Sequence, residues 1–362
     1  MTSPRLEVDL GAIQNNARRI AALCQSKGVH ITAVTKGVCG EPRIAAALIA
    51  AGIRSLGDSR LDNIRRMRRA GIEAEFMLIR PPRVSMADRV VALADVSLNS
   101  EVSVVRRLSE EAARRGRTHD VILMVEMGDL REGIMPDRLS DAVEAILALD
   151  GVRLRGIGTN LACLHGVIPT AAKMRELSRL AEAMEQRHHV RFACVSGGNS
   201  ANYEWLAESE STGRVNHLRI GEALLLGRET VHRKPIRGLA TDAFRLVGEV
   251  IETKTKPSCP FGEIGQSAFG EAPAVVDQGP MRRAIVALGE QDVDPSGIHP
   301  HSAVNILGAS SDQLVLHDTR AALSIGSEVA FSLDYRALLR AMTSPYVEKV
   351  FVPAGREQSL AA

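Results

Sequence analysis

His30-Ile31-Thr32-Ala33-Val34-Thr35-Lys36 is the stretch that decides the fold. Its β-branched and apolar side chains read as a buried strand, and the run ends on a single lysine. Working outward, the same kind of segment returns after each amphipathic stretch. Residues 55–57, 75–79, 96–98, 120–125, 155–159, 191–196 and 217–220 read as further strands. Residues 41–51, 100–115, 139–149 and 170–186 are rich in Ala, Leu, Arg and Glu and read as helices between them. Strands alternating with helices at this count predict an α/β fold, a (β/α)8 barrel of TIM type. An open doubly wound sheet is the runner-up. It is weaker because no GxGxxG turn follows the first strand.

Either side of this pattern the rhythm differs. Leu6-Glu7-Val8-Asp9-Leu10 alternates like a strand, and a helix begins near Gly11 with Ile13, Ala17, Ile20 and Leu23 on one face. Beyond Pro235, short alternating segments at 244–253, 283–287, 313–316 and 328–331 are separated by clustered turn residues. They predict a C-terminal, mostly antiparallel β-domain. The expected organisation is a barrel over 1–234, whose first residues join the β-domain, then the β-domain over 235–353 and a flexible tail over 354–362.

Composition narrows the function classes. The 362 residues are 45% hydrophobic and 24% charged, an ordinary globular balance, with a net charge of +2. That charge is too small to argue for a nucleic acid or an anionic membrane as partner. The basic run Arg65-Arg66-Met67-Arg68-Arg69 reads as a solvated helix face around the stripe Ile64, Met67 and Ile72. The cysteines, Cys24, Cys39, Cys163, Cys194 and Cys259, are odd in number and widely spaced, so they suggest neither a disulfide framework nor a metal site. No apolar signal core or membrane span is read, and a cytoplasmic location is expected. His188-His189 closes a helix and His299-Pro300-His301 lies in a loop. Neither has ligands at metal spacing, so no metal is expected.

Several segments together carry a family resemblance: Val34-Thr35-Lys36, Gly128-Asp129-Leu130-Arg131-Glu132-Gly133, Val195-Ser196-Gly197-Gly198-Asn199-Ser200, Leu218-Arg219-Ile220-Gly221-Glu222, Leu225-Leu226-Gly227-Arg228-Glu229-Thr230, Gly262-Glu263-Ile264-Gly265, Gly289-Glu290-Gln291-Asp292, Ile306-Leu307-Gly308-Ala309-Ser310-Ser311-Asp312 and Thr343-Ser344-Pro345-Tyr346. Each alone is weak, while their order and spacing are specific. The chain resembles the alanine-racemase-like enzymes that use pyridoxal 5′-phosphate (PLP), which pair a barrel with a β-domain. Within that group it is most similar to ornithine racemases. The resemblance covers nearly the whole chain. It implies interconversion of the L and D forms of a free amino acid, ornithine or lysine first, through an external aldimine.

Residue by residue, Lys36 ends the first barrel strand, on the face where barrels carry their chemistry. A lysine there can hold PLP as a Schiff base and take the α-proton. Ser200, with Asn199, and Gly221-Glu222 follow the seventh and eighth strands, where barrels often bind phosphate. The resemblance assigns the Ser200 hydroxyl and the Gly221 and Glu222 amides to the PLP phosphate, with Tyr346 as a further contact. It assigns Arg219 to the pyridine nitrogen, where a cation disfavours ring protonation and so weakens the electron sink. That favours racemisation over other PLP outcomes. Arg131 matches an arginine near the substrate carboxylate and the second base, and Ser311-Asp312 matches a carboxylate-binding loop. In the family, second-domain residues come partly from the partner subunit, which implies a homodimer with the site at its interface.

The sequence also departs from the family. Ile264 stands where alanine racemase has its catalytic tyrosine. Tyr203, Tyr335 and Tyr346 are no substitutes. Glu263 is the candidate for the opposite-face proton donor, since burial can raise a carboxyl toward neutral pH. Ser267, Cys39 or a water remain open. Asn160 replaces a ring-stacking histidine, and Met124 replaces a lysine that positions the arginine. A basic substrate needs a carboxylate for its distal ammonium, and Asp292 or Asp294 is expected to supply it. Two alternatives stand beside the racemase. One is a decarboxylase of the same fold, although Cys259-Pro260-Phe261-Gly262-Glu263 does not match its CESxD-like segment. The other is a non-catalytic PLP carrier, which the missing tyrosine favours.

Overall fold

The structure is a computed structural model that describes residues 3–267, 269–270 and 276–352. The expected tail at 354–362 lies outside the described residues. Two compact units emerge. Leu10–Thr241 forms one, and Met1–Asp9 with Asp242–Ala362 forms the other.

The chain opens with strand β1 (Arg5–Asp9) and helix α1 (Leu10–Ser26). The larger unit is then a closed barrel of eight parallel strands: β2 (His30–Val34), β3 (Ser55–Asp58), β4 (Glu75–Leu78), β5 (Val96–Asn99), β6 (His119–Met124), β7 (Val152–Gly158), β8 (Cys194–Ser196) and β9 (His217–Ile220). Helices α2 (Pro42–Ala50), α3 (Leu61–Arg69), α4 (Ala87–Leu93), α5 (Val102–Arg114), α6 (Leu139–Leu147), α7 (Ala171–His188), α8 (Tyr203–Glu208) and α9 (Glu222–Leu226) alternate with them. The predicted (β/α)8 barrel is therefore observed. On α3, Leu61, Ile64 and Met67 are buried and the arginines lie outside. The expected strand at 191–196 begins only at Cys194, because the Phe192 amide is drawn off by the Glu185 carboxylate at 2.7 Å.

Strand alternation divides the buried side chains by character. Met77, Val96, Leu98, Ile122, Met124 and Cys194 pack into one apolar cluster. Ser196 shares the face of Cys194 on β8, and His217 shares the face of Arg219 on β9, so buried polar groups gather where the barrel closes through β8, β9 and β2. The segment after α9 stays with the barrel. The Ile236 amide donates to Gly227 at 2.8 Å, and the Asn16 side chain both donates to and accepts from Ala240 at 2.8 Å.

The second unit is one eight-stranded sheet. It adds β10 (Phe244–Pro257), β11 (Pro280–Val286), β12 (Ile298–Pro300), β13 (Val304–Ala309), β14 (Leu314–Asp318), β15 (Glu328–Leu333) and β16 (Glu348–Val352) to β1, with helix α10 (Tyr335–Thr343) before the last strand. The pairings are antiparallel except β1 with β16. β1 belongs here because it pairs with both β10 and β16, and buried Arg5 makes a two-pronged contact with Glu328 at 2.6 and 2.7 Å.

Candidate active site

Lys36 stands where β2 gives way to a short 3-10 turn, Lys36–Val38. Its position is set by the residue before it. The Thr35 hydroxyl donates to Asp58 at 2.8 Å, and Asp58 also accepts from the Arg60 amide at 2.9 Å and Asn63 at 3.0 Å. Burial pushes the Asp58 carboxyl up, against these bonds. The Lys36 side chain is half-buried and has no hydrogen-bond partner among the described residues.

Beside it, β2 pairs with β9, and Gly221 closes on Val34: a Cβ at Gly221 would lie 3.0 Å from Val34 Cβ. Ser200 opens the 3-10 turn Ser200–Asn202 after β8. Its Oγ accepts from the Gly221 amide at 3.2 Å and the Ala223 amide at 3.3 Å. Ser200, Gly221 and the start of α9 thus form one cradle. Gly198 is needed to enter it: φ is +144° there, and a Cβ would meet Asn202 Oδ1 at 2.2 Å. The Asn199 side chain is engaged locally, accepting from Ala201 N at 2.8 Å and donating to Leu161 O at 2.8 Å. The Glu222 carboxylate pairs with Arg233.

Arg219 is 4% exposed. It donates to Thr159 O at 2.8 Å, to Asn160 Oδ1 at 3.4 Å and to Ser196 Oγ. No carboxylate bonds to it among the described residues. Burial lowers its pKa to about 10. The Glu132 carboxylate favours its charged form and the Arg131 cation opposes it.

The 126–133 loop is clasped from within. The Glu126 carboxylate accepts from the amides of Gly128 (2.6 Å), Leu130 (3.0 Å) and Arg131 (3.1 Å). Fully buried Asp129 accepts from Cys163 (3.2 Å), Leu164 (2.8 Å), His165 (3.2 Å) and Val167 (3.3 Å), tying the loop after β7 to the loop after β6. Arg131 itself is held by Glu132 and by Cys163 Sγ, 3.0 Å away. Met124 lies in the apolar cluster and plays no part in holding it. Glu126, Asp129 and Cys163 escaped sequence reasoning as part of the site. A carboxylate two residues before Gly128 was the available signal, but only the folded loop shows which amides it meets.

In the second unit, the 289–292 turn backs onto the Ser310–Asp312 turn. The Glu290 and Gln291 amides donate to the Ser310 and Ser311 carbonyls at 3.0 and 2.9 Å, and Ser311 Oγ bonds Asp312 at 3.2 Å. Tyr346 is 64% exposed. Three of the expected residues sit as follows. Asp292 is buried and accepts from the Gly289 amide at 3.0 Å, so it braces its own turn. Asp294 caps the turn Pro295–Gly297 through Ser296 N at 3.0 Å and Oγ at 2.6 Å. Each carboxylate is thus engaged in its own turn. Glu263 lies on an exposed stretch of the isolated chain.

In the barrel unit several donors lack acceptors. Asn160 Nδ2 is buried and unpaired. The Ser200 hydroxyl accepts two amides, and its own proton has no acceptor among the described residues. With the Lys36 amine and the Arg219 cation, this donor set fits an anionic, acceptor-rich group such as PLP.

Comparison with known proteins agrees. Residues 8–229 match the alanine racemase N-terminal domain family. The chain is 41% identical to a lysine racemase from Thermotoga maritima over 98% of this chain and 100% of that protein. It is 35% identical to an ornithine racemase from Acetoanaerobium sticklandii over 96% and 99%. It shares the fold of the alanine racemase from Bartonella henselae solved with covalently bound pyridoxal phosphate, with a TM-score of 0.73, 14% identity, and 97% and 100% of the two chains covered. On the strength of its matched barrel and its full-length likeness to amino-acid racemases, this chain belongs to the alanine racemase family.

Proposed function

We propose that the protein interconverts the L and D forms of a free basic amino acid, ornithine or lysine, with PLP on Lys36. The observation that carries this reading is Arg219: a buried cation held only by neutral acceptors. An enzyme that needs a strong electron sink places a carboxylate against the cofactor ring. A cation there disfavours ring protonation and restrains side reactions. The full-length likeness to a lysine racemase and an ornithine racemase supports a basic substrate.

When bound, PLP supplies the carbonyl carbon that captures the substrate amine and the conjugated ring that withdraws electrons from the α-carbon. The chain's own residues do the rest. The Ser200 hydroxyl and the Gly221 and Glu222 amides hold the phosphate. Lys36 carries the proton to and from one face of the α-carbon. Arg131, held by Cys163 and Glu132, orients the substrate carboxylate. Ser311, Asp312 and Tyr346 belong to a homodimer in this reading, each completing the partner subunit's site. The exposure of Tyr346 in an isolated chain supports that arrangement. The five cysteines form no disulfide among the described residues, which suits a reducing compartment such as the cytoplasm. Among the described residues, no helix is long and apolar enough to cross a membrane.

The test is α-proton exchange. PLP-loaded protein is incubated in D2O with L-ornithine, L-lysine and L-alanine, and deuterium uptake and chiral composition are followed together. Uptake with formation of D-ornithine or D-lysine is expected, with alanine slower. Bound cofactor with no uptake from a broad amino-acid set overturns the reading in favour of a PLP carrier.

A further inference from the structure

A line of polar side chains, buried except for half-buried Ser55, runs around the barrel wall to Arg219. His217 Nδ1 is 2.8 Å from Ser196 Oγ, and its Nε2 is 2.8 Å from Thr32 Oγ1. Thr32 Oγ1 is in turn 2.8 Å from Ser55 Oγ. Ser196 Oγ accepts from Arg219 Nη1. The backbone register puts these groups side by side on neighbouring strands: Ser196 opposite His217, Thr32 opposite Arg219, and Thr32 opposite Ser55.

The proton directions follow from what each group can do. Arginine only donates, so Ser196 accepts from it and must place its own proton elsewhere. Among the described residues the one acceptor in reach is His217 Nδ1. The ring is neutral, because burial lowers its pKa to about 3, with Arg219 and Arg155 adding to the effect. A neutral ring that accepts at Nδ1 donates at Nε2. Thr32 then accepts from His217 and donates to Ser55. Every donor therefore points away from Arg219. A protonated ring would reverse the Ser196 hydroxyl and set one cation beside another.

We propose that Ser196 and His217 are positioning residues that fix the buried guanidinium of Arg219 against the cofactor ring, through a one-way hydrogen-bond relay ending at Thr32 and Ser55. The relay rests on the proposed reading of Arg219 as the partner of PLP. It explains how a buried arginine with no carboxylate remains ordered and charged: its charge is met by hydroxyls whose dipoles are aligned by a neutral imidazole. It also ties ring electronics to a histidine that does not touch the cofactor.

The test uses the full chain. Nitrogen-15 NMR of histidine-labelled protein, with and without PLP, reports the His217 tautomer, assigned by its loss in His217→Phe. The proton is expected on Nε2. In PLP-loaded protein, the pH profile of the cofactor absorbance and the rate of α-deuterium exchange are compared for wild type, Ser196→Ala, Arg219→Lys and the double variant. Ser196→Ala is expected to slow exchange roughly ten- to a hundred-fold, the loss of one hydrogen bond to a charged group. It is also expected to move the absorbance profile in the same direction as Arg219→Lys, and to add nothing in the Arg219→Lys background. Should His217→Phe fail to fold, Ser196→Ala, which removes one hydroxyl, carries the test, and the NMR signal is assigned by its shift in that variant. Additive effects overturn the relay, as does a wild-type ring protonated on Nδ1. An unmoved profile in Arg219→Lys overturns the assignment of Arg219 to the cofactor, and the relay with it.

Discussion

Replacing Asp129 by alanine removes the clasp between the loops after β6 and β7. The carboxylate is fully buried and accepts from four backbone amides, those of Cys163, Leu164, His165 and Val167. Three of these bonds are long, so the set is worth less than four ideal charge-assisted bonds. A buried network broken at its charged member costs about 3–5 kcal/mol. Each kcal/mol moves the melting temperature by about 2–4 °C in a domain of this size, so a fall of about 6–20 °C is expected. The pH dependence gives a sharper check. Burial pushes the Asp129 carboxyl up, but the four amides together push it further down, leaving it below its usual value of 3.8. A depressed carboxylate contributes stability that is present above the unfolded pKa and lost as pH falls through the folded one. The gap between wild type and Asp129→Ala should therefore stay constant from about pH 5 to 8 and narrow below about pH 4. Thermal melts across that range measure both quantities. A variant melting within a degree of wild type, or a gap that does not change with pH, refutes the clasp. Because the two loops carry Arg131 and Asn160, KM for the amino acid should rise in the same variant.

Lys36→Ala should lose the covalent cofactor signal and slow α-deuterium exchange by at least about a thousand-fold, read by absorbance and mass spectrometry. Ser200→Ala should weaken PLP binding roughly ten- to a hundred-fold in equilibrium dialysis, while leaving the barrel folded by circular dichroism. Asp294→Asn keeps a good turn cap, so stability should change by only a few tenths of a kcal/mol. Its preference for ornithine over alanine should be unchanged. A lost preference would restore Asp294 as the reader of the distal amine.

The barrel was legible because its strands are short, largely buried segments that recur between amphipathic helices. All eight were expected in their places, with ends shifted by a few residues. The β-domain was harder to read. β13 is half exposed and carries an irregularity between Ile306 and Gly308, so its alternation is broken. β16 is a strand only because β1 lies beside it. Lys36 and Ser200 could be placed on the chemical face of a barrel because they follow strand ends, while the roles of Ser200 and Arg219 came from the family resemblance. For Asp292 and Asp294, sequence counts the carboxylates but does not say which amides they already hold.

The sequence by itself predicted the barrel from its periodicity and, through a family resemblance carried by its motifs, offered Lys36, Ser200 and Arg219 as site candidates. Only the tertiary structure decided how the site is held. The Asp129 clasp joins residues in loops far apart in the chain. The Ser55–Thr32–His217–Ser196–Arg219 line exists only because strands β3, β2, β9 and β8 become neighbours when the barrel closes. Hydrogen bonds act over about 3 Å, and chain order carries no information at that range until folding brings the strands into register.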